Sequence, residues 1–257
     1  MRHACTTFVL LLSVVMLTGC QGSDSPTQPL ADVDPQADQV LKAMSNLLGK
    51  TKSFSFRAVG YMDEVAETGQ LVQISRESDV SVTRPSKLFV ETEGDDVSRS
   101  AWYDRGKLTV LDKEQNEYTV IGVPKTIEAM LDFIIDEYGL TLPLADLLFS
   151  NPYKTLTSNV QLGSYIGLGQ VGDHSCHHLL FEQEMIDWQI WIDAGQSPVP
   201  RKFVITYKQE PGQPGYSVTV DKWNFKPTFA NDLFEPDPPD DATEVQMNEL
   251  LGTEQGE

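Results

Sequence analysis

From Ser53 onward, apolar and polar residues alternate with a period of two. Phe54, Phe56, Ala58 and Met62 take one side and Ser55, Arg57 and Tyr61 the other, as in a strand with one buried face. Further strands are predicted over 70–82, 87–93, 98–104, 107–112 and 117–121. They are divided by turn material such as Asp104-Arg105-Gly106-Lys107 and Lys113-Glu114-Gln115-Asn116. Connections this short join only antiparallel neighbours, so this half reads as a meander of about six strands. Upstream the period lengthens. Asp34 precedes Pro35, a capping residue followed by a good first helical residue, and Ala37, Val40, Leu41, Met44, Leu47 and Leu48 form one apolar stripe, with Gly49 as the expected stop.

The alternation breaks over 124–156. Ile127, Met130, Leu131, Ile134 and Tyr138 keep helical spacing before Gly139, and Pro143 opens a shorter apolar segment through Leu144, Leu147 and Leu148 that Asn151-Pro152 is expected to end. Strands then resume over 158–169, 174–183, 186–193, 200–209 and 215–225, clearest where Ile186, Trp188, Ile190 and Ile192 alternate with Asp187, Gln189, Trp191 and Asp193. The order of helix, strands, helices and strands predicts an α+β fold. Its expected form is a curved antiparallel sheet of about eleven strands, with an N-terminal helix and a central helical insertion on the concave face.

The chain ends follow neither period. Arg2 and His3 lead into the apolar run Phe8 to Leu17, broken only by Ser13, and then Leu17-Thr18-Gly19-Cys20. This is the layout of an export signal, and its apolar core is too short to span a bilayer, which takes roughly 20 residues. An ordinary signal needs only small residues before its cut. A cysteine directly after Leu-Thr-Gly resembles the bacterial lipoprotein box, in which the sulfur of what becomes residue one, here Cys20, carries a diacylglyceryl group. Two or three acyl chains make such attachment effectively permanent. Gln21 is not the aspartate that resembles an inner-membrane retention signal, so the outer membrane is the expected site. The expected organisation is a signal peptide over 1–19, a flexible tether over 20–34, one domain over 35–235 and a mobile acidic tail over 236–257, opened by Glu235-Pro236-Asp237-Pro238-Pro239-Asp240-Asp241.

Charge narrows the partners. The chain carries 19 basic and 38 acidic residues, net −19, and loss of the signal removes Arg2 and no acid. Such a surface repels phosphate backbones and anionic head groups, so nucleic acid is not an expected partner. Cys5 is expected to leave with the signal and Cys20 to be lipidated, which would leave Cys176 without an intrachain partner. The domain therefore has to rest on its apolar core.

The segments Trp188-Gln189-Ile190-Trp191-Ile192-Asp193, Pro200-Arg201-Lys202-Phe203-Val204-Ile205-Thr206-Tyr207 and Phe234-Glu235-Pro236-Asp237-Pro238-Pro239 resemble a family of predicted periplasmic proteins of unknown function, domain of unknown function 2092. That family is similar in fold to the LolA- and LolB-like carriers and receptors of outer-membrane lipoproteins. The resemblance covers roughly 35–240. It implies an unclosed β-barrel whose apolar hollow, plugged by helices, holds acyl chains; the superfamily also includes sensors, so fold alone does not fix function.

Phe54, Phe56, Trp188 and Ile190 on the sheet and Ile127, Met130, Leu131 and Ile134 on the central helix are the candidate lining of a hydrophobic-ligand site, with the segment from Ile127 to Leu148 as its lid. Their ordinary alternative is a filled core. Trp191, Phe203, Tyr207, Trp223 and Phe225 are expected to be mostly core. On a strand His174, Cys176 and His178 share a face at two-residue spacing, which suits zinc or copper. No second cluster completes a shell, and a structural role outweighs ligation, so no metal is expected. Gly163, Gly167, Gly169 and Gly172 lack a phosphate-loop lysine and read as a bent or bulged strand. No nucleophile elbow or distinct acid and base pair occurs, so neither catalysis nor a cofactor is expected. The function predicted is that of a lipid-anchored binding protein, its ligand a lipid or the acyl chains of a lipidated protein. The alternative is an interaction or envelope-sensor module that meets a protein partner through its surface.

Overall fold

The computed structural model describes residues 32–140 and 142–252; the signal, Cys20 and the tether up to residue 31 lie outside them. The alternating segments form one sheet of eleven longer strands, and the chain ends add two short ones. In chain order these are β1 (Asp32–Val33), β2 (Ser53–Val65), β3 (Leu71–Thr83), β4 (Lys87–Gly94), β5 (Ser98–Asp104), β6 (Lys107–Asp112), β7 (Glu117–Gly122), β8 (Leu162–Val171), β9 (His174–Glu182), β10 (Ile186–Asp193), β11 (Pro200–Tyr207), β12 (Gly215–Asn224) and β13 (Thr243–Glu244). Their spatial order is β1-β8-β9-β10-β11-β12-β2-β3-β4-β5-β6-β7-β13. The eleven longer strands are antiparallel throughout. The two meanders join where β12 pairs with β2, in register at Tyr216 with Met62 and Val218 with Gly60. The sheet does not close, because β7 and β8 are never paired with each other.

Helix α1 (Pro35–Lys50) begins as expected. The Asp34 carboxylate accepts from the Gln36 and Ala37 amides at 2.7 and 3.3 Å, and Pro35 occupies the first turn. Its apolar stripe of Ala37, Leu41, Met44 and Leu48 is buried in the core. Gly49 does not end it. The helix runs on to Lys50, and a Cβ at Gly49 would collide with the Ser150 carbonyl oxygen, so glycine serves a close approach of helix and loop there. Helix α2 (Ile127–Tyr138) is capped by Thr126 through the Ala129 amide at 3.3 Å and ends at left-handed Gly139. A 3₁₀ turn follows at Ala145–Leu148. Asn151-Pro152, expected to end this segment, instead begins helix α3 (Pro152–Thr157), with the Asn151 side chain accepting from the Lys154 amide. An Asn-Pro pair is as good a cap and first-turn residue as a break, and the helix delays β8 to Leu162.

Within the segment 236–257 expected to be a mobile tail, residues up to 252 are described, and they are docked. After β12 the chain returns across the convex face, where the Lys87 ammonium lies over the Phe234 ring at 5.6 Å. It then pairs β13 in parallel with β7 and finishes in α4 (Met247–Leu250). Met247 and Leu250 are about 5% exposed, Met247 belongs to the main core, and the Leu250 carbonyl accepts from Arg99 at 3.2 Å. Two buried apolar side chains and a parallel bridge hold an otherwise acidic segment in place. The tether likewise ends earlier than expected, since Asp32 and Val33 already pair with Leu162 and Gly163 on β8. Both open edges of the sheet are thus partly covered by chain ends, the usual answer to unpaired strand edges.

The β2–β3, β9–β10 and β11–β12 turns share one end of the sheet, its upper end. β8 starts there, because Leu162 is in register with Glu182, the last residue of β9. The glycine-rich strand is bulged as expected, with the register shifting between Tyr165 and Gly167; Gly167 stands at φ 140°, a conformation closed to residues with a Cβ.

Candidate functional site

The concave face is built from alternate residues of successive strands, which the register aligns into rows. One row runs Leu179, Ile190, Phe203, Val218, Gly60. The next row up runs Phe181, Trp188, Ile205, Tyr216, Met62, Ile74 across six strands. The lower row is covered by helices. Along the upper row cover is lost progressively, so that Phe181 and Trp188 are buried while Ile205, Tyr216, Met62 and Ile74 are half-buried.

All eight predicted lining residues meet in one core. Phe54, Phe56, Trp188 and Ile190 from the sheet and Ile127, Met130, Leu131 and Ile134 from α2 are each at most 5% exposed. Helix α2 therefore occupies part of the hollow. Phe54 and Phe56 pack at a tilt against Trp223, the Phe56 and Trp223 centroids 4.6 Å apart, and Trp188 stacks on Phe181 at 4.2 Å.

Of these eight, Trp188 also borders open space. A cavity of about 180 Å³ lies between the sheet and the stretch that follows α2. Trp188, Phe203, Ile205 and Ile186 form its floor, Leu144, Leu147 and Leu156 its roof, and Asp146, Asn159 and Gln183 are among its polar lining. The roof residues carry the helical spacing of a core-facing turn, and nothing in the sequence separates a roof from a core; which sheet row stays open depends on how far the helices extend. Burial pushes the Asp146 carboxyl up from its ordinary value, opposed by the Thr155 hydroxyl. Tyr216 is pushed up to about 12, first by burial and then by Tyr207, with Arg76 acting the other way. Leu144, at the head of the 3₁₀ turn, has φ 69°, an uncommon conformation for a bulky residue.

One basic residue fastens this roof to the sheet. Arg84, after β3, donates from Nη2 to the Phe149 carbonyl at 2.9 Å and the Leu147 carbonyl at 3.4 Å, from Nη1 to the Leu148 carbonyl, and from Nε to the Thr51 carbonyl at 3.2 Å. Its guanidinium also lies over the Phe54 ring at 5.3 Å. The end of the 3₁₀ turn and the end of α1 are thereby held by the same side chain.

The three residues weighed as metal ligands are otherwise engaged. His178 stacks on Trp191 at 4.0 Å and bonds Gln189 at 2.9 Å, while His174 faces Asp193 at 3.1 Å. Cys176 is buried, with its thiol pushed up by desolvation, and its sulfur points to the His174 carbonyl. Asp193 is held mainly by Arg201 and the Gly195 amide. Among the described residues no group of three or more His, Cys, Asp or Glu side chains is placed to hold a metal ion.

An unclosed antiparallel sheet with helices across its hollow and a small apolar cavity beneath their connection defines a half-barrel with a helical plug. The chain belongs to the family described as predicted periplasmic protein (DUF2092), which it matches over residues 37–248. No curated protein matches it. Among solved structures it is similar to an uncharacterized conserved protein from Thermus thermophilus, with 9% identity, a TM-score of 0.48 and 82% of this chain and 98% of that chain covered. The lipoprotein LppX from Mycobacterium tuberculosis gives 11% identity, a TM-score of 0.44 and coverage of 76% and 98%. A LolA superfamily protein from Nitrosomonas europaea gives 8%, 0.38, and 78% and 97%. None of these likenesses bears on what the chain binds.

Proposed function

We propose that this protein is a non-catalytic, lipid-anchored component of the bacterial envelope that binds a hydrophobic ligand, such as lipid acyl chains or the acylated end of another protein, in its half-barrel. Cys20 carries the anchor, and the periplasmic face of the outer membrane is its place. The observation that supports binding is the cavity over Trp188 and Ile205, from which the same concave row runs on through the half-buried Tyr216, Met62 and Ile74. Four inter-strand steps separate Trp188 from Ile74, a trough of about 19 Å at roughly 4.8 Å per step.

A cavity of about 180 Å³ is the size that admits a benzene-sized guest, below the roughly 300–1,000 Å³ of ordinary ligand sites. An acyl chain therefore enters by lifting Leu144, Leu147 and Leu156 off the floor. Each methylene buried contributes about 0.8 kcal/mol, which offsets the packing given up between roof and floor. The roof belongs to a connection between strands, so it moves without breaking the sheet.

The filled state of the remaining concave face favours a second reading, an interaction or sensor module that acts through its surface. Native mass spectrometry of the mature chain carrying Cys20→Ser, purified without detergent, separates the two. A reproducible lipid adduct is expected. An empty protein that also takes up no fluorescent fatty acid would sink the binding reading in favour of the module. For the anchor, the intact wild-type mass should show a diacylglyceryl-modified Cys20; an unmodified N-terminus would remove it.

A further inference from the structure

The upper end of the sheet carries aliphatic side chains that the fold leaves uncovered. Pairing of β12 with β2 stops at Met62, and pairing of β4 with β3 stops at Arg76, so the ladder beyond is a two-stranded ribbon, anchored at its base where Asp63 accepts from the Gly215 amide and the Ser75 carbonyl from the Asp95 amide, both at 3.0 Å. On it Val65, Leu71 and Val72 are 43–48% exposed. Beside the ribbon lies the β11–β12 turn, where a Cβ at Gly212 would touch Leu71, and the Lys208 amide of that turn donates to the Met185 carbonyl at 3.0 Å. Met185 is itself 57% exposed. These apolar groups border the same end as Ile186 and Gln183 of the cavity and as Ile74 and Met62 of the trough.

We propose that this upper rim seats on a zwitterionic phospholipid surface, with the ribbon tip and Met185 as the inserted elements, so that the trough opens directly onto the bilayer. Two observations select that occupant. Residues 61–75 contain Asp63, Glu64 and Glu67 and no Lys or Arg, in a chain of net charge −19, which disfavours an anionic surface. The described chain also begins at this end, because Asp32 is in register with Leu162 beside the β9–β10 turn. An anchor at Cys20 is separated from Asp32 by no more than about 43 Å of extended backbone. The proposal rests on the lipid-anchored reading for the source of the surface, and on the rim alone for its geometry.

The test is flotation of the mature Cys20→Ser chain with phosphatidylcholine vesicles, beside Leu71→Asp/Val72→Asp, Met185→Asp and, as a control on the exposed lower part of β8, Leu168→Asp. Wild type and the control are expected to float, and the rim variants to bind at least tenfold more weakly while keeping the wild-type circular dichroism. Wild type that stays unbound, or rim variants that float equally, would overturn the proposal; so would stronger binding to phosphatidylglycerol vesicles. A concentration-dependent dimer lost in the rim variants would assign the rim to a second copy instead. Uptake of a fluorescent fatty acid from solution keeps the two proposals apart. Uptake without flotation removes the rim and leaves the ligand site, and flotation without uptake does the reverse.

Discussion

Arg84→Met is the most informative single change, because it removes the guanidinium that fastens the roof while keeping an aliphatic stem beside Phe54. Of its four carbonyl bonds, those to Thr51 and Leu147 are long at 3.2 and 3.4 Å, which leaves the Leu148 and Phe149 carbonyls as the main acceptors. Hydrogen bonds from a charged donor contribute about 1.5–3 kcal/mol each. The cation–π contact adds about 0.5–1 kcal/mol. Against this stands the cost of burying the guanidinium, which pushes its pKa down with Glu128 opposing. The net loss expected is about 2–4 kcal/mol. With a urea m-value near 3 kcal/mol/M for a chain of this size, the midpoint should fall by roughly 1 M. Hydrogen exchange should rise locally at residues 144–150, and fatty-acid uptake should become faster as the roof loosens. Arg84→Lys should recover only part of the loss, since an ammonium cannot span carbonyls spread around a planar fork. A midpoint within about 0.2 M of wild type, with unchanged exchange at residues 144–150, would refute the assignment of Arg84 as the fastener.

Asp146→Asn should stabilise the fold at neutral pH: burial raises the native carboxyl's pKa, so the native state holds its proton over a range where the unfolded chain has lost it. Wild-type stability is then highest below the unfolded value of 3.8 and declines as pH rises through the native pKa. The advantage of Asn should vanish in acid, and a pH-independent difference in urea midpoint would contradict this. Deleting residues 242–257 removes Met247, Leu250 and the β13 bridge; it should cost about 3 kcal/mol from lost burial and raise aggregation through the bared β7 edge, measured by urea unfolding and light scattering.

Much of the fold was legible in the sequence because its signals are local. Asp34-Pro35 marked a helix start, Gly139 a helix end, and the period of two from Phe54 and from Ile186 marked strands with one apolar face. What escaped has no local signature. A two-residue parallel bridge such as β1 or β13 has no period to detect, and the docking of the acidic segment depends on Met247 and Leu250, two apolar residues among carboxylates. Asn151-Pro152 is chemically ambiguous between ending one helix and capping the next. The eight candidate lining residues meet in a solid core, because α2 fills the space above the sheet. The open space lies one row away, over Ile205, under a roof whose position depends on Arg84, a residue that carries no binding pattern of its own.

The pairing of β12 with β2 also governs the order in which the molecule can be completed. Val218 meets Gly60 across more than 150 residues of chain, so as the protein emerges N-terminus first, β2 waits with one bare edge until nearly the whole sequence has arrived. Ring closures of that length are slow, and an uncovered strand edge in the interval invites association with neighbours. Completion of such a sheet is favoured by either an escort for the bare edge or a delay in assembly until the last strands are delivered.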